Sequence, residues 1–267
     1  MQFDASILVT AGFLTTLVLS MIWAWNENLD HVTMFWFGAW GVVGALVGGH
    51  LLYVLSQPKE LAVDPLLLFR VLEGGKAVFG AFGGAVLLGW LYLRWRREPF
   101  LRYADAAVPA SALGYGIVRV GCFLNGDDFG TVSTVPWAVR FPKGTDAFLS
   151  HLEKGWITAG STTSLPVHPT QLYHVAVGLL LFVILSRWKG EWAGSRLTLA
   201  LAGYGALRFV LEFFRGDAIP LLGPFDDSQL FCLGFLLFAG LLWWCKGRRS
   251  ERVQAPMTLQ ASKETVP

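Results

Sequence analysis

Seven apolar stretches of membrane-spanning length set the first constraint on this chain, near residues 6–25, 33–55, 77–95, 104–123, 170–187, 196–214 and 229–245. Roughly 20 apolar residues in helical form cross a hydrocarbon layer about 30 Å thick. Backbone polar groups in that layer must be satisfied within the segment, so each stretch is read as a helix. Composition agrees: 15% of the 267 residues are charged, against roughly 25% in a soluble domain. The 12 Trp and 20 Phe suit aromatic belts at the two membrane interfaces. The first stretch carries Asp4 and no basic flank, so it is read as a helix and not a signal peptide. The fold class that follows is an all-α polytopic membrane protein.

Basic residues between the spans set the orientation. Arg94, Arg96, Arg97 and Arg102 follow the third span, Arg187, Lys189 and Arg196 follow the fifth, and Lys246, Arg248, Arg249 and Arg252 follow the seventh. With seven crossings these clusters share one face, which the positive-inside rule makes cytoplasmic, leaving the N-terminus outside. The loop Asn26–Asp30 is acidic although it falls on that same face; acidic residues weigh little in the rule. The implied organisation is residues 1–125 as spans one to four with an outside arm near 57–75, then 126–168 as a small extracytoplasmic head. Residues 169–248 hold spans five to seven, and 249–267 form a polar cytoplasmic tail expected to be disordered. The run Val135–Phe141 in the head is read as a strand.

A net charge of +2 gives no reason to expect a nucleic-acid partner. Cys122, Cys232 and Cys245 are widely spaced with no C-x-x-C pair, so no disulfide framework is expected. Neither HPTQLYH (168–174) nor the glycine-rich run 73–85 has H-E-x-x-H or other metal-ligand spacing, so no metal is expected. Inverted halves of the transporter kind are also absent, which weakens an anion-transport reading.

Charged residues inside or beside the spans carry the functional signal. The segment GYGIVRVGCFLNGDDFG, residues 114–130, runs from apolar sequence into a polar loop and places Arg119, Asn125, Asp127 and Asp128 near the join. An arginine at membrane depth costs about 2.5–3.5 kcal/mol on insertion scales, so it faces protein or a wet cavity. The alternative is a structural arginine that snorkels or pairs with a carboxylate. In GYGALRFVLEFFRGD, residues 203–217, Arg208, Glu212 and Arg215 stack on one helical face. Two cations against one carboxylate leave positive charge over, unless the three form a self-contained ladder. Arg119 and Arg208 lie at the outer ends of their spans, and paired guanidiniums there suit the phosphate of a lipid headgroup. HPTQLYH, residues 168–174, enters the fifth span with Pro169 in the first turn and His168, Gln171, Tyr173 and His174 around it. A histidine at such an entry is more often a structural hydrogen-bonder than a catalyst. The glycine-rich run EGGKAVFGAFGGA, residues 73–85, is either a close helix-packing face or a slot for an acyl chain.

Taken together, DPLLLFRVLEGG (64–75), the glycine run, RVGCFLNGDDFG (119–130), HPTQLYH and GYGALRFVLEFFRGD resemble the bacterial prolipoprotein diacylglyceryl transferase family, in family order and over most of the chain from the second span onward. The resemblance implies transfer of diacylglyceryl from phosphatidylglycerol to the lipobox cysteine thiol of a prolipoprotein signal peptide, in the bacterial cytoplasmic membrane and without a cofactor. It places Arg119 and Arg208 on the two arginines that grip the phosphate, and Asn125, Gly130, Glu212 and Arg215 on motif positions. Arg119, Arg208, Glu212 and His174 are thus the candidate catalytic residues. Arg119, Asn125, Gly130, His168, Gln171, Tyr173, Arg208 and Arg215 are the candidate substrate-binding ones.

The departures are as informative. Phe79 stands where the family carries a histidine, Cys122 where it carries an asparagine, and Asp127 where it carries a glutamate. His174 replaces the carboxylate ending the HP-[ST]-QLY-E motif, His50 falls where an arginine is more usual, and the first span lacks the tyrosine–glycine pair. Proton handling would then pass to His174 or His50. The alternatives are a lipid-binding membrane protein that has lost catalysis on the same scaffold, and a covalent mechanism through Cys122.

Overall fold

The seven apolar stretches all fold as helices. The computed structural model describes residues 6–71, 77–218 and 220–247. Among these the α-helices are α1 (Ser6–Asn26), α2 (His31–Ser56), α3 (Pro58–Val63), α4 (Val78–Arg96), α5 (Phe100–Asn125), α6 (Asp146–Glu153), α7 (Thr170–Arg187), α8 (Ser195–Glu212) and α9 (Asp227–Leu242). Helices α1, α2, α4, α5, α7 and the stretch Asp227–Lys246 are long and apolar enough to cross a membrane. Helix α8, the remaining expected span, has 18 residues but carries Arg196, Arg208 and Glu212, so its composition departs from that of an ordinary span. The chain is an all-α polytopic membrane protein, with one two-stranded hairpin, β1 (Pro220–Leu222) and β2 (Phe225–Asp226), that sequence reading did not anticipate.

Two compact units divide the chain, Leu19–Ala106 and a second made of Met1–Val18 with Ala107–Pro267. In the first, α2 lies along α4 with the backbones in contact. A Cβ on Gly44 would sit 2.2 Å from the Gly84 carbonyl oxygen, and one on Gly80 would sit 2.2 Å from that of Gly48. Gly80 and Gly84 are therefore packing glycines of the small-residue kind, and the slot reading fails for them. Gly83 between them has nothing within 4 Å. Phe79 lies in the first turn of α4; Glu73–Lys76 of the same run fall outside the described residues, as does the chain after Gly247. Asp30 caps α2, accepting from the amides of Val32 and Thr33 at 3.1 Å each. The Thr33 hydroxyl and these amides hold its carboxyl below its ordinary pKa, which gives the acidic loop a local structural role. His50 is fully buried, and its Nε2 donates to the Leu67 carbonyl at 2.9 Å. That bond ties the 3₁₀ turn Pro65–Phe69 to α2, while among the described residues Nδ1 of His50 has no hydrogen-bond partner.

In the second unit, glycines again set helix spacing: Gly114 of α5 meets Gly12 of α1, and Gly178 of α7 meets Ala112 of α5. Helices α7 and α8 share an apolar seam of Val177, Leu181 and Leu185 with Leu199, Tyr204 and Leu207. Asp226 and Gln229 form a capping box at the start of α9. Between α5 and α7, Phe129, Phe141, Ala147 and Val167 form a small core. The expected strand Val135–Phe141 is absent: the segment turns and makes only an isolated bridge, Val139 to Val167, with a neighbouring one from Pro142 to Thr163. Pro136 and Pro142 have no N–H to donate to a ladder. His151 of α6 is buried, accepts at Nδ1 from the Leu165 amide at 3.2 Å, and lies edge-on to Phe129.

Two outcomes follow. Gly84→Ala forces a Cβ into the Gly44 backbone and destabilises by roughly 1–3 kcal/mol, whereas Gly83→Ala stays within about 0.5 kcal/mol; thermal unfolding in detergent of both variants checks this, and equal midpoints would refute the packing account. Burial, then Lys154, hold His151 below its ordinary pKa of 6.5. A depressed folded pKa means the neutral ring contributes stability above 6.5, lost as pH falls through the folded value. Protease resistance of the α5–α7 segment therefore declines on acidification below 6.5, and His151→Gln flattens that decline.

Candidate active site

Three backbone segments meet at Gly130. Its amide donates to the His168 carbonyl at 3.1 Å, Thr131 N donates to Phe214 O at 2.8 Å, and Gly216 N donates to Phe129 O at 3.0 Å. A Cβ on Gly130 would lie 2.4 Å from the His168 carbonyl oxygen and 2.9 Å from that of Phe214. Gly130 is thus a crossing point at which any side chain would clash with neighbouring backbone. The crossing brings the end of α5, the entry to α7 and the end of α8 together, and with them the charged residues of three separate sequence blocks.

Arg119 from α5 pairs with Asp128 and lies over the Tyr115 ring, 5.1 Å from its centroid. Arg215 takes the other Asp128 oxygen at 2.8 Å, approaches Glu212 at 3.6 Å and makes two bonds to Asp217, at 2.8 and 2.9 Å. Arg208 pairs with Glu212 at 3.3 Å and donates to Ser228 Oγ at 3.2 Å. Arg119 and Arg208 therefore belong to one continuous cluster, joined through Asp128, Arg215 and Glu212. Their side chains are largely buried, and Glu212 almost completely. Burial opposes the Asp128 charge, but Arg119 and Arg215 outweigh it and hold that carboxyl below the usual range. Burial likewise works against the charge of Arg215, and Asp217 and Asp128 more than offset it.

One expectation is corrected here. Arg208, Glu212 and Arg215 do not share one helical face, because α8 ends at Glu212 and Arg215 follows it in a bridge to Gly130; nor do they leave a bare positive surplus, because Asp128 and Asp217 supply two further carboxylates. The cation with spare capacity is Arg208, whose Nη1 is buried without a hydrogen-bond partner among the described residues.

His174, one turn into α7, is fully buried, and among the described residues neither of its ring nitrogens has a hydrogen-bond partner. It meets Tyr115 edge-on at 6.1 Å, and Tyr115 in turn meets Tyr204 at 5.4 Å, one turn before Arg208. The imidazole thus sits beside the aromatic face that carries Arg119. Gln171 donates to the Asp127 carbonyl at 2.6 Å, and Asn125 to the Asp127 carboxylate at 3.1 Å. Both shape the Asp127–Asp128 loop. His168 and Tyr173 hydrogen-bond each other at 3.0 Å, and Trp137 donates to Tyr173 at 2.7 Å, so this pair joins Trp137 to the entry of α7. Cys122, Asp127 and Asp128 are the one grouping among the described residues whose ligand atoms, all within 4.8 Å, have the spacing for a metal ion. Asp128 is already engaged by two arginines.

Sequence reading missed Asp128, Asp217, Tyr115, Tyr204 and Thr170 as members of this cluster. The signals were present in NGDDFG, RGD and the two GYG segments, but a loop aspartate has no periodicity to aim it.

The chain was compared with known proteins. Residues 6–245 match the family model described as prolipoprotein diacylglyceryl transferase. A phosphatidylglycerol–prolipoprotein diacylglyceryl transferase of Photorhabdus laumondii subsp. laumondii is 36% identical over 227 residues, 80% of this chain and 77% of that protein. One of Gloeobacter violaceus is 32% identical across 94% of this chain and 91% of its own length. One of Pseudomonas fluorescens is 34% identical across 84% and 79%. With the matched stretch running from the first span through the last, and the arginine blocks of α5 and α8 inside it, this chain belongs to the prolipoprotein diacylglyceryl transferase family.

Proposed function

We propose that this protein transfers the diacylglyceryl group of phosphatidylglycerol to the lipobox cysteine thiol of a prolipoprotein signal peptide, within the bilayer and without a cofactor. The observation that carries the reading is the single buried cluster in which Arg119 and Arg208, from helices far apart in sequence, are linked through Asp128, Arg215 and Glu212. In the reaction the bond between the glyceryl carbon and the phosphate oxygen breaks, a carbon–sulfur bond forms, glycerol phosphate leaves and the thiol gives up its proton. The attacking species is the thiolate. Negative charge grows on the departing phosphate oxygen, and fixed guanidiniums aimed there stabilise that transition state. Arg119 and Arg208 have this role; Glu212 orients Arg208. Gln171 and Asn125 act through the Asp127–Asp128 loop, and His168 with Tyr173 fixes the entry of α7. His174 is the assigned proton acceptor because, among the described residues, its ring nitrogens have no hydrogen-bond partner and it lies against Tyr115, the ring under Arg119.

The same reading sets the enzyme in the bacterial cytoplasmic membrane with its N-terminus outside, its C-terminus cytoplasmic and residues 126–168 as the extracytoplasmic head, following the basic clusters after spans three, five and seven. A second reading has its own support: Phe79, in the first turn of α4, stands where the resemblance implies a histidine, as in a scaffold that binds phospholipid without turning it over. Purified protein in phosphatidylglycerol vesicles with a lipobox peptide separates the two. Thioether peptide and released glycerol phosphate support the transferase; lipid binding without either product supports the lapsed form.

In that assay Arg119→Ala and Arg208→Ala each lower the rate by about 10²–10³-fold, while retained activity in either removes that arginine from the site. His174→Ala lowers it by about 10²-fold or more if the ring takes the thiol proton. An unchanged rate makes His174 a packing residue.

A further inference from the structure

Asp128 combines features that its neighbours lack. Its backbone is left-handed at φ 52°, a region uncommon outside glycine, and such conformations are retained where surrounding structure holds them. The restraint is visible. Thr170 Oγ1 donates to the Asp128 carbonyl at 2.7 Å and Gln171 Nε2 to the Asp127 carbonyl at 2.6 Å, so the start of α7 grips both peptide units. The gripped backbone aims one carboxylate between an arginine of α5 and one in the segment after α8. One oxygen goes to Arg119 and the other to Arg215. Two oxygens of one anion against two guanidiniums is also how a phosphate would be held. Asp128 is the more accessible partner, its side chain 30% exposed against 14% and 12% for the two arginines.

We propose that the Asp128 carboxylate is an internal stand-in for phosphate, seated between Arg119 and Arg215, which the lipid phosphate displaces on binding and which displaces the phosphate-bearing product on release. The inference rests on the reading of the arginine cluster as a headgroup site. It addresses a difficulty in that reaction. The substrate is a phosphodiester with one negative charge, and the product is a phosphomonoester whose second ionisation lies near 6, giving it nearly two. Guanidiniums that hold the first hold the second more tightly, so turnover would stall on product. A tethered carboxylate competing for the same donors, at an effective concentration set by its short loop, weakens both anions and lets the dianion go. Asp128 is thus a positioning and exchange residue that acts through Arg119 and Arg215, and no bond to substrate is assigned to it.

The test uses full-length protein in detergent and glycerol phosphate as probe, with its affinity measured by calorimetry and its inhibition measured in the vesicle assay. Asp128→Asn removes the charge and keeps a side chain that tolerates the left-handed backbone; Asp128→Gly relieves that backbone altogether. In both, glycerol phosphate binds about tenfold or more tightly, the KM for phosphatidylglycerol falls and kcat falls with it, while Asp128→Glu returns affinity toward the wild-type value. Weaker or unchanged glycerol phosphate binding in both variants overturns the proposal and leaves Asp128 as a structural brace. If wild-type protein turns over lipid and the variants gain no affinity, only the exchange role fails. Tighter glycerol phosphate binding in the variants without thioether formation in any form keeps the exchange role and fails the transferase reading. If no form binds glycerol phosphate, both fail.

Discussion

Three guanidiniums sit largely buried in a chain built to lie in lipid, and each needs an anion or a dipole to offset the cost of leaving water. The contact that meets this need across the whole site is the shared carboxylate of Asp128, held by Arg119 on one side and Arg215 on the other. Without it α5 would present a cation to apolar surroundings and the end of α8 would lose its link to α5. Around it the remaining pairs fall in sequence, with Glu212 between Arg215 and Arg208 and Asp217 closing the far side of Arg215. Paired buried charges of this sort stabilise little in net terms. What they fix is geometry, since a planar guanidinium with two partners has little freedom left.

That geometry depends on the backbone being able to cross at one point. Gly130 and Gly216 allow the loop after α5 to pass against the entry of α7 and the end of α8 with carbonyl oxygens closer than any side chain would permit. The crossing is held by main-chain hydrogen bonds from Gly130, Thr131 and Gly216. Elsewhere in the unit, Gly114 and Gly178 serve the same end on a larger scale by letting α1 and α7 approach α5. Small residues thus act twice, once to pack helices in the absence of a strong hydrophobic drive within lipid, and once to assemble a polar site from loops.

The spans were legible because apolar length is a property of composition alone, and the pairing of Arg208 with Glu212 was legible because it lies within one helix at i,i+4. The convergence of the α5 and α8 arginines followed from placing both at the same end of their spans. The sequence could not place Asp128, since its aim comes from a left-handed residue and from bonds to Thr170 and Gln171 some forty positions away. The charge surplus expected of the α8 face failed for the same reason: its counter-charges come from loops. The strand expected at Val135–Phe141 failed because two prolines bound a segment whose apolar alternation serves a small core instead. The glycine run of α4 was ambiguous until the facing glycines of α2 were seen against it.

The departures from the family motifs take on a pattern in this light. At the fifth-span position where the resemblance implies a carboxylate stands His174, which lies buried against Tyr115, the ring under Arg119. The arginines are paired without a carboxylate at that position, because Asp128 delivers one from the loop. Where a counter-charge sits changes what it can do: one on a helix is fixed by that helix, whereas the Asp128 carboxylate rides on a loop and is more exposed than the arginines it pairs with. The paired charges of this unit lie within a few turns of α5 and α8 and the loops beside them.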